Sequence, residues 1–203
     1  MYIKLLHNMI LNNKIQDYKT ILNFSEEHHI AFTDGSCSPN NKSKESRGGY
    51  STIFVSGNKV GKKIYGNLDL QNENASNIRA EGTAILRTLE FINDCDKPFK
   101  KLTIITDCEF WINMIKKFMP KWNIDKFNKK ANPDITKKIW LTYNTLLKKG
   151  EVSLMHVNSH NKGGWKNFDK NTFEKFCYDK NDEADNLCSY ARINLQIGEE
   201  III

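Results

Sequence analysis

Two short apolar runs that each end in an aspartate constrain this chain more than any other feature. Residues 30–34 and 102–107 both have the pattern of a buried strand that stops at an acid. A third acid, Glu81, lies one turn into a helical pattern that begins at Asn77, and a fourth, Asp185, lies near the start of the last helical pattern. Acids at strand ends and helix starts, far apart in sequence, predict carboxylates that converge on a metal ion.

Strand and helix patterns alternate along the chain in an order that is typical of an α/β domain with a mixed sheet. The strands are predicted at residues 30–34, 49–56, 60–67, 102–106 and 151–157. The helices are predicted at residues 77–94, about 109–120, 134–148 and 182–192. Residues 161–180 are predicted to form a long polar and aromatic loop. The apolar tail, residues 201–203, leaves two alternatives: it packs on the sheet edge or it mediates self-association.

Composition narrows the partners and the compartment. The chain has 203 residues, 39% hydrophobic content and a net charge of +6, so a polyanion is a natural partner, although the same charge also serves solubility. Its five cysteines lack paired spacing, which argues against a disulfide framework and a structural zinc site and favours a reducing compartment. No segment is apolar enough to predict a membrane span or a signal peptide.

Four motifs, in this order along residues 30 to 191, resemble type 1 ribonuclease H, the RNase HI family. They are Thr33-Asp34-Gly35-Ser36-Cys37, Asn77-Ile78-Arg79-Ala80-Glu81, Ile105-Thr106-Asp107 and Asn181-Asp182-Glu183-Ala184-Asp185. The resemblance implies an RNase H-like fold, with a five-stranded mixed sheet flanked by helices. It also implies endonucleolytic hydrolysis of the RNA strand of RNA–DNA hybrids, leaving 5′-phosphate and 3′-hydroxyl ends. We therefore expect an N-terminal extension at residues 1–28, a catalytic domain at 29–193 and a tail at 194–203.

The resemblance assigns metal binding to Asp34, Glu81, Asp107 and Asp185, with Mg²⁺ as the cofactor and Mn²⁺ as an alternative. Two ions roughly 4 Å apart, held with substrate, can activate a water and stabilise the leaving oxygen. Without cations, four close carboxylates would repel and raise one another's pKa values. His160 resembles the family's loop histidine, which assists proton transfer or product release.

The resemblance also suggests residues that contact the hybrid. Cys37, Asn40 and Asn77 match positions that reach the minor groove, where 2′-hydroxyl groups distinguish RNA from DNA, and Glu109 lies nearby. Ser76 and Asn132 match a pocket for a DNA-strand phosphate. Three aromatic residues match a DNA-strand channel, and the lysines around them resemble a basic protrusion: Phe110, Phe118 and Trp122, with Lys116, Lys117, Lys121, Lys126, Lys129 and Lys130.

Two further classes compete with a free-standing, monomeric hybrid nuclease of the cytoplasm, the nucleus or a virus. One is an RNase H-like module that binds hybrid or double-stranded RNA without cleavage, and intact acids in all four motifs argue against it. The other is a related nuclease of the same fold, which acts on DNA junctions or as part of a polymerase. The motif at residues 77–81 and the basic segment favour the hybrid nuclease. Residues 38–47 and 161–180 are longer than the family pattern, which affects the alignment of Asn40 and the reach of His160.

Overall fold

The computed structural model describes residues 26–38, 46–69, 75–158 and 172–203. The described strands are β1 His28–Cys37, β2 Gly48–Ser56, β3 Lys63–Asn67, β4 Lys101–Thr106, β5 Glu151–His156 and β6 Glu200–Ile202. They form one sheet in the order β5-β4-β1-β2-β3-β6. β5, β4 and β1 are parallel, whereas β1, β2, β3 and β6 are antiparallel neighbours. The predicted mixed sheet is confirmed, with six strands among the described residues instead of five.

Helices cover both faces of this sheet. They are α1 Asn77–Asn93, α2 Glu109–Asn113, α3 Ile124–Asn128, α4 Pro133–Leu147 and α5 Phe173–Asn194. Side chains of β1 alternate between two cores: Ala31 packs with residues of α1 and α4, whereas Ile30 and Phe32 pack with residues of α5. None of the described helices combines the length and the apolar character needed to cross a membrane.

The last helix begins earlier than the sequence predicted, at Phe173 and not at Asp182. The Thr172 side chain caps the helix by accepting a hydrogen bond from the Lys175 backbone N–H at 3.2 Å. Phe176 packs edge-on against Phe32 of β1, with ring centroids 6.0 Å apart. The prediction of a loop through residue 180 was therefore wrong, because Phe173 and Phe176 pack against the core on this face of the sheet.

Smaller corrections concern the ends of other elements. The third strand begins at Lys63, and Val60, predicted within it, is 64% exposed in the preceding turn. The helix predicted from Glu109 to Pro120 is an α-helix only to Asn113; a π-helical turn and a 3₁₀ turn follow it. Pro120 lacks a backbone N–H and its ring obstructs an α-helical turn, which accounts for the change of geometry.

The C-terminal residues form the edge strand β6, which pairs with β3. The Glu200 carboxylate accepts hydrogen bonds from the Tyr50 hydroxyl and from the Arg87 guanidinium, each at 2.7 Å. Of the two alternatives for the tail, packing on the sheet edge is the arrangement that the structure has.

Candidate active site

Three carboxylates converge at the carboxyl ends of β1 and β4. These parallel strands pair with Phe32 opposite Ile105, so Asp34, which is still within β1, and Asp107, the residue after β4, lie side by side two residues further on. Glu81 of α1 joins them, and oxygens of the three carboxylates lie within 4.8 Å of one another. A ring nitrogen of His156, at the end of β5, lies 3.1 Å from the Asp107 carbonyl oxygen.

A close contact between β1 and α1 determines the position of Glu81. The Ser76 hydroxyl caps α1 by accepting a hydrogen bond from the Arg79 backbone N–H at 3.1 Å, which fixes the helix start one turn before Glu81. A Cβ atom at Gly35 would lie 2.2 Å from the Glu81 backbone nitrogen. Glycine at this position therefore lets the strand approach the helix closely enough for the acids to meet.

The fourth acid, Asp185, approaches Asp34 from α5. One of its oxygens, an Asp34 oxygen and the Cys188 sulfur lie within 4.8 Å of one another. The Ser51 hydroxyl of β2 donates a hydrogen bond to the Ala184 carbonyl at 2.7 Å, and a Cβ atom at Gly49 would lie 2.0 Å from the Cys188 carbonyl oxygen. These contacts hold α5 directly on β2. The buried Cys188 thiol was missed by the sequence analysis because no motif includes it.

Burial and mutual repulsion shift the ionisation of these acids. Burial, followed by the charge of Asp107, raises the pKa of Asp34 to about 8. Burial, followed by the charge of Asp34, raises the pKa of Glu81 well above its usual value. Glu81 Oε2 is buried and has no hydrogen-bond partner among the described residues. Crowded carboxylates with an unpaired buried oxygen fit a divalent cation, because its charge would relieve the repulsion and its shell would accept the oxygen.

The acids open into a cleft of about 380 Å³. Its lining comes from β1, α1, the residue after β4, and α5: Asp34, Gly35, Ser36, Cys37, Asn77, Glu81, Asp107, Tyr178, Asn181, Asp182 and Asp185. Tyr178, Asn181 and Asp182 were not predicted as site residues. For Tyr178, the reason is that it was assigned to a loop; Phe176 and Cys177, three and four residues after Phe173, contained the helical signal that places Tyr178 on a helix.

The sequence of the chain is similar to that of a known protein family. A model of the RNase H family matches residues 26–192. The chain belongs to the RNase H family. The family resemblance and the RNase H-like fold predicted from the sequence are thus confirmed. No curated protein matched the chain.

Solved structures share the fold of this RNase H family member at low identity. The protease-reverse transcriptase of Prototype Foamy Virus has 17% identity and a TM-score of 0.62, over 83% of this chain and 21% of the viral chain. LC9-RNase H1, a type 1 RNase H with the type 2 active-site motif, has 14% identity and a TM-score of 0.59, over 86% of this chain and 77% of the other. LC11-RNase H1 in complex with RNA/DNA hybrid has 14% identity and a TM-score of 0.53, over 81% and 96%. At these identities the likeness concerns the fold.

The predicted substrate residues are distributed over several parts of this RNase H fold. Cys37 and Asn77 line the acidic cleft, and Glu109 is exposed in the first turn of α2. Ser76 and Asn132 both hydrogen-bond to Arg79, through its backbone N–H at 3.1 Å and its guanidinium at 3.2 Å, respectively. Arg79, which is 5% exposed and also pairs with Asp134, was missed by the sequence analysis. Asn40 and His160 lie outside the described residues.

The aromatic and basic segment remains largely at the surface. Phe110 and Phe118 are 46% and 49% exposed. Trp122 packs edge-on against Phe127 at 5.2 Å, and the Lys130 ammonium lies 5.2 Å from the Trp122 ring centroid. This segment therefore exposes apolar rings and also carries lysines, a combination that suits a nucleic-acid strand.

Proposed function

We propose that this protein hydrolyses the RNA strand of RNA–DNA hybrids endonucleolytically. The observation that carries the proposal is the convergence of Asp34, Glu81 and Asp107 to within 4.8 Å in an open cleft, with Asp185 beside Asp34. Membership of the RNase H family supports the reaction class. Related folds in complex with RNA/DNA hybrid, in LC11-RNase H1 and the foamy viral protease-reverse transcriptase, support the substrate.

The four carboxylates would hold Mg²⁺, with Mn²⁺ as the alternative. Asp34 belongs to both groups of neighbouring ligand atoms, one with Glu81 and Asp107 and one with Asp185 and Cys188, so it would contribute to cation binding in either group. Bound as a pair, the cations would supply an activated water and stabilise the leaving 3′-oxygen, which gives 5′-phosphate and 3′-hydroxyl ends. The backbone N–H of Gly35 donates to Asp34 Oδ1 at 2.7 Å and so orients this carboxylate.

Other residues of the chain would bind and orient the hybrid. Cys37 and Asn77 line the cleft beside the acids and would face the minor groove, and Glu109 and Asn40 are proposed as further contacts to the hybrid. Ser76 and Asn132, joined by Arg79, would receive a phosphate of the DNA strand. Phe110, Phe118, Trp122 and the neighbouring lysines would track that strand by ring packing and charge.

His160 completes the proposed site as the group that assists proton transfer or product release, a role that suits histidine because the ordinary pKa of an imidazole is near neutrality. We also propose that the enzyme acts as a monomer in a reducing compartment. All five cysteines are free, which supports that environment.

The test is cleavage of a labelled RNA–DNA hybrid in Mg²⁺, with double-stranded RNA and double-stranded DNA as competing substrates. We expect only the hybrid to be cut, with 3′-hydroxyl products that a polymerase extends directly. Asp107→Asn should abolish cleavage, whereas Asp96→Asn, an exposed acid in the loop after α1, should leave it unchanged. Binding without cleavage in either Mg²⁺ or Mn²⁺ would overturn the proposal in favour of a binding module.

A further inference from the structure

A stripe of four residues on α5 forms one wall of the acidic cleft. Tyr178, Asn181, Asp182 and Asp185 are spaced three, four and seven residues from the first, so they lie on one face of the helix, and all four line the cleft. With a rise of about 1.5 Å per residue, Tyr178 lies about 10 Å from Asp185 along the helix axis. The stripe thus extends the metal-binding end of the cleft by a distance comparable to one or two nucleotides.

This wall belongs to a helix anchored on the sheet. Thr172 caps the helix, Phe176 packs against Phe32, and Cys177 is buried in the core beneath α5. Tyr178 therefore projects from a backbone that is already ordered, so binding a ligand there costs little conformational entropy.

Asn181 contributes a polar atom that the described fold does not satisfy. Its side chain is 2% exposed, and Oδ1 has no hydrogen-bond partner in the described part of the chain. A buried acceptor without a donor destabilises the unliganded protein, so a donor brought by a ligand would bind favourably here. Glu81 Oε2 is in the same condition, so two unpaired acceptors share this cleft. A ribose 2′-hydroxyl is such a donor, and deoxyribose lacks it.

Tyr178 contributes an aromatic surface close to a cation. Its half-buried ring lies 5.9 Å from the Lys175 ammonium, which also pairs with Asp179. An aromatic ring beside a lysine suits a nucleotide, because the ring packs on the sugar or base while the cation attracts the phosphate.

We propose that Tyr178 and Asn181 form a ribonucleotide subsite that binds the strand being cleaved. Asn181 Oδ1 accepts a hydrogen bond from the 2′-hydroxyl of a nucleotide near the scissile phosphate, and the Tyr178 ring packs on the next nucleotide along α5. The cleaved strand is the natural occupant because the stripe is continuous with Asp185, a proposed ligand of the cations that hold the scissile phosphate. This subsite rests on the hybrid-nuclease function proposed above.

The test measures kcat/KM on hybrids whose RNA strand carries one 2′-deoxynucleotide, placed in turn at each position around the cleavage site. Asn181→Ala should lower kcat/KM about tenfold on the all-ribose hybrid, and one particular deoxy substitution should abolish the difference from wild type. Tyr178→Ala should cost about tenfold while Tyr178→Phe retains activity. Tyr190→Ala and Asn194→Ala, exposed residues at the other end of α5, are the matched controls and should behave as wild type.

Affinity separates failure of this subsite from failure of the nuclease proposal. Dissociation constants are measured by fluorescence anisotropy with Ca²⁺ in place of Mg²⁺, for hybrid and for DNA duplex, after melting curves show that each variant folds. Asn181→Ala should weaken hybrid binding more than DNA binding, whether or not wild type cleaves. If wild type cuts the hybrid and both alanine variants match the controls, the subsite is overturned and the nuclease stands. An Asn181→Ala defect that persists undiminished on every deoxy-substituted hybrid would also overturn it.

Discussion

The two sides of the cleft are built differently. On the side of β1, β4 and α1, Asp34 and Glu81 are 4% and 9% exposed and are held by a backbone contact at Gly35 that leaves no room for a side chain. On the side of α5, Asp185 is exposed and sits on a helix face that continues into a polar and aromatic wall. Burial raises the pKa values of the first pair, so negative charge on that side is unfavourable in the absence of a cation. The side formed by β1, β4 and α1 is therefore suited chiefly to binding the cation, whereas the α5 side also offers a surface to the substrate.

Removal of one acid from each side should give unequal losses of activity. Asp34 belongs to both groups of ligand atoms, so Asp34→Asn should reduce kcat by roughly 10³-fold or more in Mg²⁺. Asp185→Asn affects only the group that Asp185 forms with Asp34 and Cys188, and it should reduce kcat roughly 10- to 100-fold. Single-turnover cleavage of a hybrid under saturating protein measures both. Equal losses would contradict the division of the cleft into two sides.

Substitution of the glycine at each helix–strand contact tests how packing holds the two sides of the cleft. Gly35→Ala would set a Cβ atom 2.2 Å from the Glu81 nitrogen, and Gly49→Ala would set one 2.0 Å from the Cys188 carbonyl oxygen. Overpacking of this kind costs about 1–3 kcal/mol, so both variants should melt several degrees lower, by about 2–4 °C per kcal/mol.

Activity should then separate the two glycine variants. Gly35→Ala displaces Glu81 and should lower kcat, whereas Gly49→Ala displaces α5 and should mainly raise KM. Gly61→Ala is the control, because its Cβ atom would meet nothing within 4 Å and only its positive φ of 84° opposes the change. If the two variants have the same kcat and KM, α5 has no separate role in substrate binding.

The difference between the two sides also determines how well the sequence predicted each. The acids of the first side lie in local patterns, and both strands and α1 were predicted from those patterns. The first strand was predicted to stop at Asp34, but β1 continues to Cys37 because it pairs with β2 as far as Gly48. The α5 wall depends on long-range packing: Phe176 becomes a helix residue because Phe32, 144 positions away in sequence, offers it a surface. Likewise, the three residues of β6 carry no periodic pattern and become a strand because β3 has a free edge.

The raised pKa of the buried Asp34 should make the stability of the cation-free protein depend on pH. The Asp34 carboxyl normally ionises near 3.8 and in the folded protein near 8, so between about pH 4 and pH 8 the folded state keeps a proton that the unfolded chain has released. The free energy of unfolding of the cation-free protein should therefore fall as pH rises through this range.

Asp34→Asn should flatten this pH dependence and raise the melting temperature of the cation-free protein at pH 8, by about 2–4 °C for each kcal/mol of repulsion removed. Asp185→Asn, on the exposed side, should change the melting temperature little. Chemical or thermal unfolding in EDTA at several pH values measures the effect. Added Mg²⁺ should stabilise wild type more than Asp34→Asn, and equal stabilisation would contradict cation binding by this carboxylate.

The smallest expected effect concerns the basic segment beyond both sides. Lys116 Nζ donates a hydrogen bond to the Leu154 carbonyl at 2.7 Å, whereas Lys117, also exposed, is adjacent in the same π-helical turn. If Lys117 neutralises one phosphate, Lys117→Met should reduce the slope of log affinity against log salt by about 1 and weaken hybrid binding a few-fold at low salt. Lys116→Met should instead lower the melting temperature, because it removes a contact that ties the turn to β5. An unchanged salt slope in Lys117→Met would exclude this residue from the surface that binds the hybrid.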